Sequence, residues 1–132
     1  MTKTEINLDK AITGEAKARL EYMGFAMQAM QEGYPQIAQL FMEAAGAETI
    51  HGINHMRAAK RIGSTFENLN EAANGEDYEI EEMYPSFLHE AVQEGHDEAA
   101  ASFHLALERE KYHRAMFKEA FEEFKTGLVE QL

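Results

Sequence analysis

The chain has 132 residues, 45% of them hydrophobic, which is enough for one compact core and too few for two ordinary domains, so a single domain over 1–132 is expected. Its 24 acidic residues against 12 basic ones leave a formal charge of −12, which makes DNA, RNA and anionic membranes poor partners because nothing draws the surface to phosphate. No cysteine is present, which excludes disulfides, thiolate chemistry, Cys-ligated zinc and iron–sulfur centres, so any metal must be held by oxygen and nitrogen.

The opening MTKTEINLDK has no apolar signal core, and no apolar stretch approaches the roughly 20 residues of a membrane span. A soluble, cytoplasmic protein is expected. Abundant Ala, Glu, Leu, Met and Gln with only two prolines predict an all-α fold. Thr2 and Glu5 have the spacing of a capping box, and Ile12, Ala16, Met23, Met27 and Met30 recur with helical period, so a first helix spans about 3–32. Gly33 suits the left-handed residue that ends it and Pro35 the first turn of a second helix over about 35–61, giving an antiparallel hairpin. On that second helix Ile37, Phe41, Ala44, Glu48, His51 and His55 share one seam.

After Arg61, the turn residues that bound IGSTFENLNEAANGED predict a long crossover containing a short linking helix over about 65–74, opened by Ser64 or Thr65. A third long helix over about 76–94 ends at Gly95, and a fourth over about 96–125 carries Phe103, Ala106, Glu110, His113, Phe117, Phe121 and Phe124 at four-and-three spacing. The tail beyond Thr126 is expected to fray. The architecture predicted is an antiparallel four-helix bundle.

The chain also matches itself at an offset of 62: Glu32, Gly33, Ala38, Phe41, Ala44, Glu48 and His51 fall on Glu94, Gly95, Ala100, Phe103, Ala106, Glu110 and His113. This is a duplicated hairpin, and it lifts two otherwise weak motifs above chance. Glu48 with His51, and Glu110 with His113, each place a carboxylate and an imidazole on one helical face, where the pair can hold a metal ion. Ferritin-like di-iron bundles add one glutamate from each of the two other helices. Glu15 lies 18 residues before Gly33 and Glu79 lies 16 before Gly95, so these two are the candidates, with Glu82 as a further carboxylate.

Singly, each of these glutamates reads as readily as part of a solvated face. Together, carboxylates converging in a core cannot all stay ionised unless cations neutralise them. Such a donor set suits two iron ions, with manganese or zinc as substitutes.

Four segments, AITGEAKARLEY, EGYPQIAQLFMEAAGAETIH, ENLNEAANGEDYEIEEMYPSF and EREKYH, resemble the rubrerythrin family over nearly the whole chain, most specifically in Glu79-x-x-Glu82 followed by Met83-Tyr84-Pro85. The resemblance implies a ferritin-like di-iron peroxidase that reduces hydrogen peroxide to water, with ferroxidase or iron-handling activity as the alternative. It makes Glu48 and Glu110 the bridging carboxylates, puts Glu15 and His51 or Glu82 at one iron and Glu79 and His113 at the other, and implies that His51 is exchanged for Glu82 on oxidation. Pro85 is expected to kink its helix beside these ligands. Tyr22 resembles a tyrosine that hydrogen-bonds a ligand carboxylate, and reads equally as an ordinary buried tyrosine. Without a Cys-rich rubredoxin domain, the resemblance is to the shorter erythrin-type members, and electrons are expected from a separate donor such as a rubredoxin. A homodimer is expected. His55 reads as a core or hydrogen-bonding residue, and His89, His96 and His104 as surface or local hydrogen-bonding residues.

Overall fold

A computed structural model of the chain describes residues 1–127; the last five residues, on which most of the expected fraying falls, lie outside the described part. The chain divides into two compact units, Met1–Ile62 and the remainder from Gly63. Each is a helical hairpin, and no strand occurs among the described residues.

In the first unit, α1 (Lys3–Gln31) opens on a complete capping box, with the Glu5 amide donating to Thr2 Oγ1 at 3.1 Å and the Thr2 amide to Glu5 Oε2 at 3.3 Å. It ends where Gly33 adopts φ +84°, a conformation other residues adopt only under strain. The Gly33 amide reaches the Met30 carbonyl at 3.1 Å and the Tyr34 amide reaches that of Ala29 at 2.8 Å, which satisfies two carbonyls that the helix end would leave unpaired. α2 (Pro35–Ala58) starts at once, on a proline whose missing N–H costs nothing in a first turn. A turn this tight returns α2 against α1. Ala26, Ala29 and Ala38 are buried between the two helices with Phe41 packed on them, and such small side chains permit a close approach. At the open end an ion pair joins Arg61 to Asp9. α2 closes with the same bond pattern as α1, with Lys60 at φ +58° in the glycine position.

In the second unit α3 (Thr65–Tyr78) opens on a second capping box, Ser64 with Glu67. It runs without a break into a π-helical turn, Glu79–Met83, and on into α4 (Tyr84–Gln93), so that one helical rod extends from Thr65 to Gln93. The expected linking helix over 65–74 is therefore the first half of this rod, and the long crossover reduces to the short connection between Ala58 and Thr65. Asn74 and Gly75 had the look of a break. Their propensity penalty, about 1 kcal/mol for a glycine, is small enough for packing to override, and Gly75 is not among the glycines at positive φ. Pro85 sits in the first turn of α4, directly after the π turn. The disturbance expected of it as a kink is taken up as a wider turn, in which the Tyr84 amide bonds to the Glu79 carbonyl five residues back. Gly95, at φ +70°, closes α4 with the same two bonds seen at Gly33, and α5 (Asp97–Lys125) follows, packed against α3, the π turn and α4. Among the described residues no helix is long and apolar enough to cross a membrane.

Candidate metal centre

Each hairpin gathers one carboxylate–imidazole group. In the first, Glu15 comes from α1 and Glu48 and His51 from successive turns of α2, with one ligand atom of each inside a cluster no wider than 4.8 Å. His51 Nδ1 lies 3.4 Å from Glu15 Oε2 and 3.7 Å from Glu48 Oε2. Gly52 lies against this group: a Cβ at that position would meet the Cβ of Glu15 at 3.4 Å, in van der Waals contact, so α1 and α2 run close together here. The carboxyl of Glu48 is held above the usual carboxylate range, chiefly by a hydrogen bond shared with Glu15, then by burial and by the charge of Glu15, with His51 opposing.

In the second hairpin the group is Glu76 from α3 with Glu110 and His113 from α5, again with ligand atoms within 4.8 Å of one another. His113 Nδ1 stands 3.9 Å from Glu110 Oε1. Glu15 Oε2, Glu76 Oε2 and Glu110 Oε2 are buried and have no hydrogen-bond partner among the described residues. Buried carboxylate oxygens are costly in that condition, and three of them, distributed over both groups, fit positions where a cation binds. The donors are oxygen and imidazole nitrogen only, a set that suits iron or manganese.

The structure thus brings together Glu15, Glu48 and His51, and separately Glu110 and His113. Glu79 lies half-buried on the π turn and Glu82 is exposed, and neither belongs to a group. Glu76, which is not among the ligands expected from the sequence, takes the place corresponding to Glu15. Its signal was present in the sequence at a different offset. Asn7, Leu8, Ala11, Gly14 and Glu15 match Asn68, Leu69, Ala72, Gly75 and Glu76 at 61 residues, whereas from Tyr22 and Phe25 onward the matches, Tyr84 and Phe87 first, fall at 62. The π turn accommodates the one additional residue.

Tyr22 is part of an aromatic cluster, its ring centroid 6.2 Å from that of Phe41 and 6.3 Å from that of Phe25. Tyr84, Phe87 and Phe103 repeat that cluster in the second hairpin. His96 caps α5, its Nδ1 accepting from the Ala99 amide at 3.2 Å. His89 and His104 are exposed and His55 is half-buried.

An all-α chain with a glutamate and a Glu-x-x-His pair in each of two hairpins falls in the ferritin-like class of carboxylate–histidine di-metal proteins. The rubrerythrin family profile matches residues 7–121. Rubrerythrin-2 of Clostridium acetobutylicum is 37% identical over 86% of this chain and 69% of its own length, and rubrerythrin of Porphyromonas gingivalis is 40% identical over 88% and 64%. A solved structure of fully reduced, all-ferrous nigerythrin shares 33% identity, covering 95% of this chain and 69% of that one at a TM-score of 0.48. The chain belongs to the rubrerythrin family, and is thereby a di-iron oxidoreductase of the rubrerythrin type. It spans about two thirds to three quarters of the curated rubrerythrins it matches.

Proposed function

We propose that the chain is a non-haem di-iron peroxidase that reduces hydrogen peroxide to water, drawing electrons from a separate donor protein such as a rubredoxin, and that it works as a cytoplasmic homodimer. The observation that carries this reading is the repeated group, Glu15 with Glu48 and His51 and Glu76 with Glu110 and His113, in which three buried carboxylate oxygens lack a partner. These six residues are the proposed ligands, three for each ion. When bound as two ferrous ions, iron supplies the two electrons that, with two protons, convert one peroxide into two waters.

The chain's own part is to hold charge and position. Glu15 holds the Glu48 carboxyl above the usual carboxylate range, so protons compete with metal for the first group and metal affinity falls in acid. In the second hairpin Glu79 and Glu82 follow Glu76 at intervals of one turn. Glu79 is half-buried and Glu82 exposed, so Glu79 rather than Glu82 is the reserve carboxylate of the second group.

The test is a stopped-flow comparison of the anaerobic diferrous protein mixed with hydrogen peroxide or with oxygen, together with metal analysis. Oxidation much faster by peroxide, with uptake ending at two irons per chain, is the expected result. Faster oxidation by oxygen, or continued uptake of iron, would make the protein a ferroxidase instead.

A further inference from the structure

The two hairpins repeat one another closely enough that their differences are informative, and the largest difference lies beside the second metal group. At the position of Gly52 in the first hairpin, 62 residues on, the second carries Arg114, directly after His113. Gly52 lies close against Glu15, which an uninterrupted α-helix carries. Arg114 reaches in the other direction, across to the rod that carries Glu76. Its Nη1 lies 2.7 Å from Glu81 Oε1, inside the π turn, and 3.5 Å from Asp77 Oδ1, just before it. Lys118 Nζ, one turn further along α5, lies 3.1 Å from the same Asp77 oxygen.

Asp77 and Glu81 are four residues apart and would repel each other on a helix face. One guanidinium between them turns that repulsion into a tie spanning the point where the helix changes from α to π geometry. The position of that change decides where Glu76 points. A helix turns about 100° per residue, so if the extra residue were released or moved past Glu76, the carboxylate would swing away from Glu110 and His113. Exposed ion pairs contribute little to overall stability, but this one is satisfied in a single register only.

Resting on the di-metal reading above, we propose that Arg114 is a positioning residue that pins the π turn through Asp77 and Glu81, and so holds Glu76 in register with Glu110 and His113. The first hairpin, with no π turn and a glycine at the matching position, has no need of it.

The test uses the full chain, metal-free, titrated anaerobically with cobalt(II) and followed by its visible absorption bands, with amide exchange of residues 76–84 measured before metal is added. In Arg114→Met one cobalt ion should bind as in the unaltered chain and the other about tenfold or more weakly, the usual consequence of losing a group that orients a ligand. The amides of 76–84 should exchange faster while those of α1 do not change. Asp77→Asn with Glu81→Gln should give the same pattern, and combining all three changes should add nothing further. Two ions bound with unaltered affinity in Arg114→Met would overturn the proposal. So would a general loss of helix in Arg114→Met while the Asp77→Asn, Glu81→Gln chain binds both ions normally. An unaltered chain that takes up fewer than two cobalt ions would instead overturn the di-metal reading, and the amide exchange would then decide the role of Arg114 by itself.

Discussion

Glu48 shows how a ligand set can act against the metal-free fold. Its carboxyl, pressed against that of Glu15, is held above the usual range, so the folded chain binds a proton there more readily than the unfolded chain does. The stability linked to that proton is complete below the ordinary carboxylate pKa and is lost as pH rises through the elevated value. At neutral pH the metal-free protein therefore carries an unrelieved repulsion. Glu48→Gln should raise the melting temperature of metal-free protein at pH 7 and remove much of the increase that iron or cobalt gives. Thermal melts with and without metal check both halves, and a fall in the metal-free melting temperature would contradict this account. A second comparison concerns ligand identity. Glu76→Gln should cost one of two bound metal ions, while Glu82→Gln, an exposed position, should leave the count at two in metal analysis.

At the scale of the element, local chemistry outweighs apparent breaks. Ser64 is the start signal of the rod that carries Glu76, and its reciprocal bonds with Glu67 hold that carboxyl below the usual range, chiefly through hydrogen bonding to the backbone and side chain of Ser64. A lowered carboxyl favours folding above its unfolded pKa and ceases to do so as pH falls through the folded value. Ser64→Ala should cost about 1 kcal/mol in denaturant melts at neutral pH, and the difference from the unaltered chain should narrow in acid. Much of this was readable in the sequence: Thr2 with Glu5, the Gly33 and Gly95 stops, Pro35 in a first turn, and the motifs on α2 and α5 all stand where their spacing puts them. The rod from Thr65 to Gln93 was not readable. Turn residues such as Asn74 and Gly75 announce a break by propensity alone, and packing against α5 decides otherwise. A π turn has no composition of its own, so its single extra residue does not show at one fixed repeat offset, and Glu76 falls out of step with Glu15.

For the whole molecule, metal is expected to carry a large share of stability. Among the described residues the buried hydrophobic side chains are alanines apart from Ile80, so little large apolar volume is enclosed within each hairpin. Loading to a hundredfold excess over the dissociation constant adds about 2.7 kcal/mol, which for a chain of this size amounts to a rise of about 10 °C in melting temperature. Calorimetry before and after chelator treatment measures it, and equal melting temperatures would dispose of the metal site. With a formal charge of −12, the metal-free chain should also gain stability from added salt, and the loaded chain should gain less because the cations already offset part of the self-repulsion.

The π turn also records a history. Substitutions alone cannot carry one hairpin into the other, because Glu15 stands seven residues before Tyr22 and Glu76 stands eight before Tyr84. An added residue within a helix ordinarily turns every face beyond it, so the insertion could persist only where the surplus was confined to one widened turn between the carboxylate and the aromatic cluster. The two halves therefore parted by a change of length as well as of letters. A descendant of the copying event that never acquired the extra residue would show seven residues at both places, and its second half would need neither the π turn nor an arginine after the histidine.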